Sequence, residues 1–528
     1  KKDLIKIISN IVEKFINKNS NTFNISINFK MGLKSLIDKP KELLELINEC
    51  LKPKEIEKKE NGEVFTPINI VYDMLNDLDE QYKKNNKGKS IFENKNLTWY
   101  DPANGMGNYP IIIYMKLMEG LKKEIPNDKK RKKHILEKMI YMSEKNKKNC
   151  YIAKQIFDIN NEYNLNLYEG NSLTIDIKKV FGIEKFDIII GNPPYNEKLE
   201  TKKGSATALY HKFIEYYINK CNYVTFIIPS RWFSGGKGLD KFREMMLKRN
   251  DIVFIKHFSN SSIIFGKNVN IEGGVNYFLI DNKYNGECDY NGKKLKLNNY
   301  DILVENDFYG LINKLTNYKS ISDIYIGQSY SGITSNDSRL TDEKNKKSIL
   351  CYVSQHKGFT KYIDLSKLNK DIDMKKWKVI TAEANGGNKC FGNMFIGKPN
   401  EICNQSYILF EVNTENEAKS LLSYLNCRLP NLMLSLRKIS QHISESTCKW
   451  IPLPPLNKEW NDDEINKYFK LTNDEIKLIN NTKIIGYDKK IIKRSILNKI
   501  EKDIESDSEE EKKQKITKVK KNKSTVNK

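Results

Sequence analysis

The chain has 528 residues, more than one hydrophobic core usually supports, so two or more domains are expected. Ninety Lys and Arg against 67 Asp and Glu leave a net charge of +23, which favours a polyanionic partner, although A+T-rich codons would also yield this lysine surplus. A hydrophobic content of 39% excludes a wholly disordered chain, and no run approaches the ~18 apolar residues of a bilayer span.

Residues 1 to about 60 carry Leu4, Ile5, Ile8, Ile11, Val12 and Phe15 at helical spacing, which predicts an N-terminal helical region. Between about 97 and 280 the pattern changes to short apolar runs separated by amphipathic stretches. Leu97–Asp101, Met139–Met142, Leu165–Tyr168, Phe186–Ile190, Tyr223–Ile228 and Val253–Ile255 read as strands of βαβ units, hence as a mostly parallel sheet. Val275–Ile280 follows a Gly273-Gly274 turn, so its pairing can be antiparallel. From about 300 to 455 that rhythm stops and Gly, Asn and Tyr accumulate, as in a separate α+β domain. Residues 462–500 return to helical periodicity and precede a tail with an acidic and then a lysine-rich block, expected to be disordered. Nine scattered cysteines without a CxxC pair argue against a disulfide framework or zinc module and for a reducing, cytoplasmic setting.

The most informative tetrapeptide is Asn192-Pro193-Pro194-Tyr195, directly after Gly191 at the end of an apolar strand. Two prolines fix φ and stop the strand, so an amide, a prolyl carbonyl and an aromatic ring are held rigidly where open α/β sheets bind ligands. The trio suits a planar heterocycle with an exocyclic amino group: two acceptors for its hydrogens and a ring to stack on. Upstream, Asp101-Pro-Ala-Asn-Gly-Met-Gly107 forms a GxG turn at another strand end, which permits close backbone approach to a ligand. It lacks the GxGxxG spacing of a dinucleotide site, against an oxidoreductase. Glu144, just after the Met139–Met142 strand, is placed to grip ribose hydroxyls, and is equally placed to begin a helix as a solvated acid.

With these motifs in this order the chain resembles the gamma class of amino-group DNA methyltransferases, those of Type II restriction-modification systems in particular. The resemblance runs from Gly62-Glu-Val-Phe-Thr-Pro67 through the Asp101–Gly107 loop and Asn192–Tyr195 to Pro229-Ser-Arg-Trp-Phe233 and Gly273-Gly274-Val275, and covers roughly 60–290. It implies a Rossmann-like seven-stranded methyltransferase sheet, mostly parallel with the last strand antiparallel, and a C-terminal α+β target-recognition domain. The expected division is a helical region at 1–60, the catalytic domain at 61–295, target recognition at 296–460, helices at 461–500 and a charged tail at 501–528. The implied activity is site-specific methylation of adenine N6 from S-adenosylmethionine, on double-stranded DNA, with a cognate restriction endonuclease as partner and no membrane.

Carried over residue by residue, Thr66, Pro67, Asp101, Ala103, Gly105, Gly107, Glu144 and Asn171 would form the methyl-donor pocket. Asn192, Pro193, Pro194 and Tyr195 would hold the target adenine, with Phe258 or Phe265 on the opposite face of the base. Where the family usually has Asp, this chain has Asn171, so weaker donor binding is expected; Asn104 and Met106 also depart from the usual small residues of the glycine loop. No metal or covalent intermediate is needed, and the lack of a Pro-Cys motif argues against cytosine C5 chemistry. Arg339, Gln355, Arg428, Arg437 and Gln441 have side chains able to read base edges. Rival readings are methylation of RNA or of a protein glutamine, and a DNA-binding homologue impaired in catalysis.

Overall fold

The computed structural model describes residues 66–487, apart from 159, 198–206, 237, 267–268, 270, 328–330, 335, 355–358 and 369–373. The expected helices at 1–60, the tail at 501–528, residues 62–65 of the first motif and Gln355 therefore lie outside the described residues. Two compact units divide the chain, Lys1–Asn306 and Asp307–Lys528.

In the first unit, helix α1 (Ile68–Asn85) buries Ile70, Val71, Met74, Leu75 and Leu78, the one-sided spacing of a helix laid on a core. Nine strands follow: β1 (Trp99–Asp101), β2 (Ile140–Glu144), β3 (Asn166–Glu169), β4 (Phe186–Gly191), β5 (Cys221–Pro229), β6 (Ile252–Phe258), β7 (Val275–Asp281), β8 (Cys288–Tyr290) and β9 (Lys293–Leu295). They form one sheet in the order β3-β2-β1-β4-β5-β7-β6-β8-β9. The first five strands in this order are parallel, and β7 runs antiparallel to both β5 and β6. The seven-stranded sheet expected from the sequence is therefore present, with its antiparallel strand, and β8 and β9 extend it. β1 is wholly buried, and β4 and β5 are buried except for Asp187 and Asn222. Parallel strands covered on both faces need such near-continuous apolar runs, which is why they stand out in the sequence.

The added hairpin turns at Asn291 (φ 47°) and Gly292 (φ 84°), both left-handed. Asn-Gly suits a two-residue turn with positive φ at both positions.

The second unit has a four-stranded antiparallel sheet in the order β10-β16-β13-β14 and a three-stranded one in the order β12-β11-β15. The strands are β10 (Tyr325–Ile326), β11 (Ser348–Tyr352), β12 (Thr360–Asp364), β13 (Trp377–Ala382), β14 (Met394–Gly397), β15 (Glu401–Cys403) and β16 (Tyr407–Val412). Lys378 of β13 is fully buried and joins the two sheets by donating to the Glu401 carbonyl at 2.7 Å. A buried ammonium so far from water needs such acceptors.

Candidate active site

β1 is flanked by β2 on one side and β4 on the other, and strand order runs away from it in both directions. Such a switch point leaves a crevice outside the carboxyl ends of the strands, the place where open α/β sheets bind ligands. Asp101 closes β1 and Gly191 closes β4. A Cβ on Gly191 would meet the Asp101 Oδ1 at 2.6 Å, so only glycine lets the two strand ends approach this closely.

Asp101 is 2% exposed. Its Oδ1 accepts from the Ala103 N–H at 3.0 Å, while its buried Oδ2 has no hydrogen-bond partner among the described residues. Burial pushes its carboxyl well above the usual range, the nearby Glu144 charge adds to this, and the Ala103 N–H opposes it. Glu144 is the last residue of β2 and not the residue after it. Its Oε2 accepts from the Gly105 N–H at 2.8 Å and its Oε1 from the Asn146 N–H at 2.7 Å, so one carboxylate ties the glycine turn to the next strand. Gly107 has φ 102° and caps helix α2 (Asn108–Gly120), which requires a residue free of a Cβ penalty. Asn104 and Met106, the unusual residues of the turn, are both buried, Met106 in the apolar core and Asn104 donating to the Gly105 carbonyl at 2.8 Å.

Thr66 is brought to the same loop: its carbonyl accepts from Asn108 Nδ2 at 3.1 Å and its hydroxyl from Tyr109 at 3.3 Å, while Pro67 caps α1. Asn171, in contrast, is exposed, and its Oδ1 accepts from the Leu173 N–H at 3.1 Å in a local turn. Next to it, Ser172 is buried and donates to the Pro102 carbonyl, linking the loops after β1 and β3. Sequence reading passed over Ser172, Asn108 and Gly191, although all three lie in or beside the quoted motifs.

At the end of β4, Asn192 and Pro194 are half-buried and Pro193 is buried. Tyr195 is 5% exposed, so the ring expected to meet a base is covered in this structure. Burial drives its phenol far above the ordinary range, with Asn192 pulling the other way. The Tyr195 carbonyl accepts from the Leu209 N–H at 2.9 Å, just ahead of a helix at Tyr210–Tyr217. Phe258 ends β6 and stacks on Tyr277 with ring centres 6.1 Å apart; Phe265 ends a four-residue helix. Both pack, partly buried, against the core of this unit.

In the second unit the three arginines are committed to the fold. Arg339 pairs with Asp337 and donates to the Lys367 and Gly332 carbonyls. Arg428 donates to the carbonyls of Ile479, Asn480 and Thr482. Arg437 is 6% exposed, donates to the Ser446 carbonyl at 2.6 Å and lies 4.5 Å from the Trp450 ring centre. Gln441 is exposed.

A doubly wound sheet with a glycine turn after β1, an acid at the end of β2 and Asn-Pro-Pro-Tyr after β4 is the arrangement expected from the resemblance to amino-group methyltransferases. Residues 69–265 match the family model described as Eco57I restriction-modification methylase. The chain is 28% identical over 336 residues, 49% of its own length and 77% of the relative's, to a Mycoplasma pneumoniae protein described as an uncharacterized adenine-specific methylase. Residues 69–265 are thus similar to a methylase domain of restriction-modification type, and the Mycoplasma relative is described as adenine-specific. Among solved structures it is similar to the Type IIL restriction-modification enzyme MmeI in complex with DNA, at 14% identity and TM-score 0.38, over 77% of this chain and 68% of that one. It is also similar to DrdV in a DNA complex, at 11% identity and TM-score 0.45, over 79% of this chain and 58% of that one. Among the described residues no helix is long and apolar enough to cross a membrane.

Proposed function

We propose that this protein is a site-specific DNA methyltransferase that transfers a methyl group from S-adenosylmethionine to N6 of an adenine turned out of the duplex. The observation that carries the reading is the meeting of Asp101 and Gly191 at the switch point, with Asn192–Tyr195 issuing from the same strand end. The buried, unpartnered Asp101 Oδ2 is an acceptor that a donor-bearing ligand would satisfy, and the surrounding residues fit the methyl donor. Thr66, Pro67, Asp101, Ala103, Gly105, Gly107 and Glu144 would hold it. Asn171 would have to exchange its local turn for a ligand contact, a cost consistent with weakened binding. When bound, S-adenosylmethionine supplies an electrophilic methyl group.

The chain's own residues do the rest by position. An adenine amino nitrogen is a poor nucleophile because its lone pair is delocalised into the ring. Asn192 Oδ1 and the Pro193 carbonyl each accept one amino hydrogen, which favours a more tetrahedral nitrogen with a freer lone pair. Pro193 and Pro194 keep those acceptors from moving, so part of the barrier is met by orientation. Extrusion of the base costs a few kcal/mol, and stacking on Tyr195, once its ring is uncovered, returns about 1–3 kcal/mol. Phe258 or Phe265 closes the other face. The +23 charge serves the phosphate backbone, and the second unit serves target recognition.

The test is incubation with labelled S-adenosylmethionine and, separately, DNA, RNA and protein, followed by identification of the labelled product. N6-methyladenine in DNA is the expected outcome; label in RNA or glutamine alone would overturn the DNA assignment, and donor binding without transfer would leave an impaired homologue.

A further inference from the structure

With Arg339, Arg428 and Arg437 committed to the fold of the second unit, the polar side chains it presents outward lie elsewhere. Ile439, Ser440, Gln441 and His442 form an exposed run directly after the helix Arg428–Arg437. This run is paired to a second loop that follows β13. The Ile443 N–H donates to the Glu383 carbonyl at 2.8 Å and the Asn385 N–H to the Gln441 carbonyl at 3.0 Å, with Ala384 bridged to His442. Beneath the pair lie two lysines. Lys438 is fully buried, and its ammonium donates to the carbonyls of Asn388 at 2.7 Å and Ser440 at 3.0 Å, one from each loop. Lys389 donates to the Lys438 carbonyl at 2.6 Å. A buried ammonium bound to carbonyls of both loops fixes their spacing and leaves its positive charge under an exposed tip.

The side chains on this tip form a directed chain. His442 Nδ1 donates to Glu383, at 2.8 and 3.0 Å to its two oxygens. In the neutral Nδ1–H form the ring's Nε2 is an acceptor, and Gln441 Nε2 lies 3.3 Å from it. The amide thus donates one N–H inward, and its second N–H and its oxygen remain for an outside partner. A side-by-side donor and acceptor on one planar amide matches the N7 and N6 edge of adenine in the major groove.

We infer that Gln441, positioned by His442 and Glu383 on the Lys438-braced loop pair, reads one A·T base pair of the target sequence through the major groove. The inference rests on the proposed DNA methylation and specifies where its sequence selectivity resides. Gln441 is the reading residue; His442 and Glu383 are positioning residues.

The experiment uses the full chain, S-adenosylmethionine and a duplex library with randomised sequence, with methylated adenines mapped at base resolution. Gln441→Ala is expected to lower discrimination at one A·T position of the target by 10–100-fold, with the other positions within about twofold of wild type. His442→Ala is expected to relax the same position by a smaller factor. An unchanged target preference in Gln441→Ala, an equal fall at all sequences, or relaxation of different positions by the two variants would overturn the inference. Gln441 is exposed, so melting of the variant should match wild type. If the wild-type chain itself places no methyl group on DNA, the proposed function fails and this inference with it, an outcome distinct from loss in the variants alone.

Discussion

The carboxyl end of the first unit's sheet and the outer loops of the second unit, the two surfaces proposed for recognition, are built differently. At the sheet end, the candidate side chains are placed by backbone constraints: prolines that stop β4, a glycine at 191 where nothing larger fits, and carboxylates pinned by N–H groups. In the second unit the placement is by side-chain commitment. Arg339, Arg428 and Arg437 hold carbonyls and a carboxylate, the buried Lys438 braces two loops, and other polar groups, Gln441 among them, face outward. A site defined by backbone constraint can be read from residue type and spacing; a surface defined by what the fold has not used cannot.

The predictions follow that contrast. Replacing Asn192 by Ala should have the largest effect, a loss of at least about 10²–10³-fold in transfer rate, since a fixed acceptor at the reacting nitrogen is removed. Arg437→Ala should act on the fold and not on selectivity. Loss of its carbonyl bond and its contact with Trp450 should destabilise the protein by about 2–3 kcal/mol, read by denaturant unfolding, with the methylated sequence unchanged. A shifted target sequence in that variant would break the comparison.

Gly191→Ala brings a methyl group within 2.6 Å of the Asp101 carboxylate, so donor affinity or stability should fall by about 1–3 kcal/mol, measured by calorimetry and melting. The smallest effect is a gain. Asp101→Asn keeps the acceptor for Ala103 and removes a buried ionisable group, so without donor the variant should melt at a higher temperature than wild type at neutral pH. The sign follows from the raised folded value. A protonated Asp101 favours the fold, and that contribution is present below the unfolded value near pH 4 and lost as pH rises through the folded one. The stability gap between Asn and Asp should therefore open upward from about pH 4, and donor binding should weaken in the variant.

How far the sequence could be read follows from the same physics. The strands near β1, β4 and β5 are visible because double-sided burial demands apolar runs, and the Asn192–Tyr195 turn because prolines leave few conformations. The β8–β9 hairpin has a strong local signal in Asn291-Gly292, but it lies outside the βαβ repeat pattern that makes the other strands legible. Asn171 could be flagged as unusual, but its turn to the Leu173 N–H depends on local geometry that residue type does not fix. Tyr195 could be recognised as an aromatic after two prolines, whereas its burial depends on packing from distant parts of the chain. The three arginines and Gln441 looked alike as potential base readers; three-dimensional neighbours alone separate them.

The central claim is that the Asn192 side chain holds the adenine amino group for transfer while the donor is held elsewhere. Asn192→Ala measured twice, by calorimetric S-adenosylmethionine binding and by methyl transfer to DNA, tests it most directly. Donor affinity within a few-fold of wild type with transfer reduced by at least about 10²-fold is the predicted result. Transfer at the wild-type rate, or loss of donor binding equal to the loss of transfer, would contradict it.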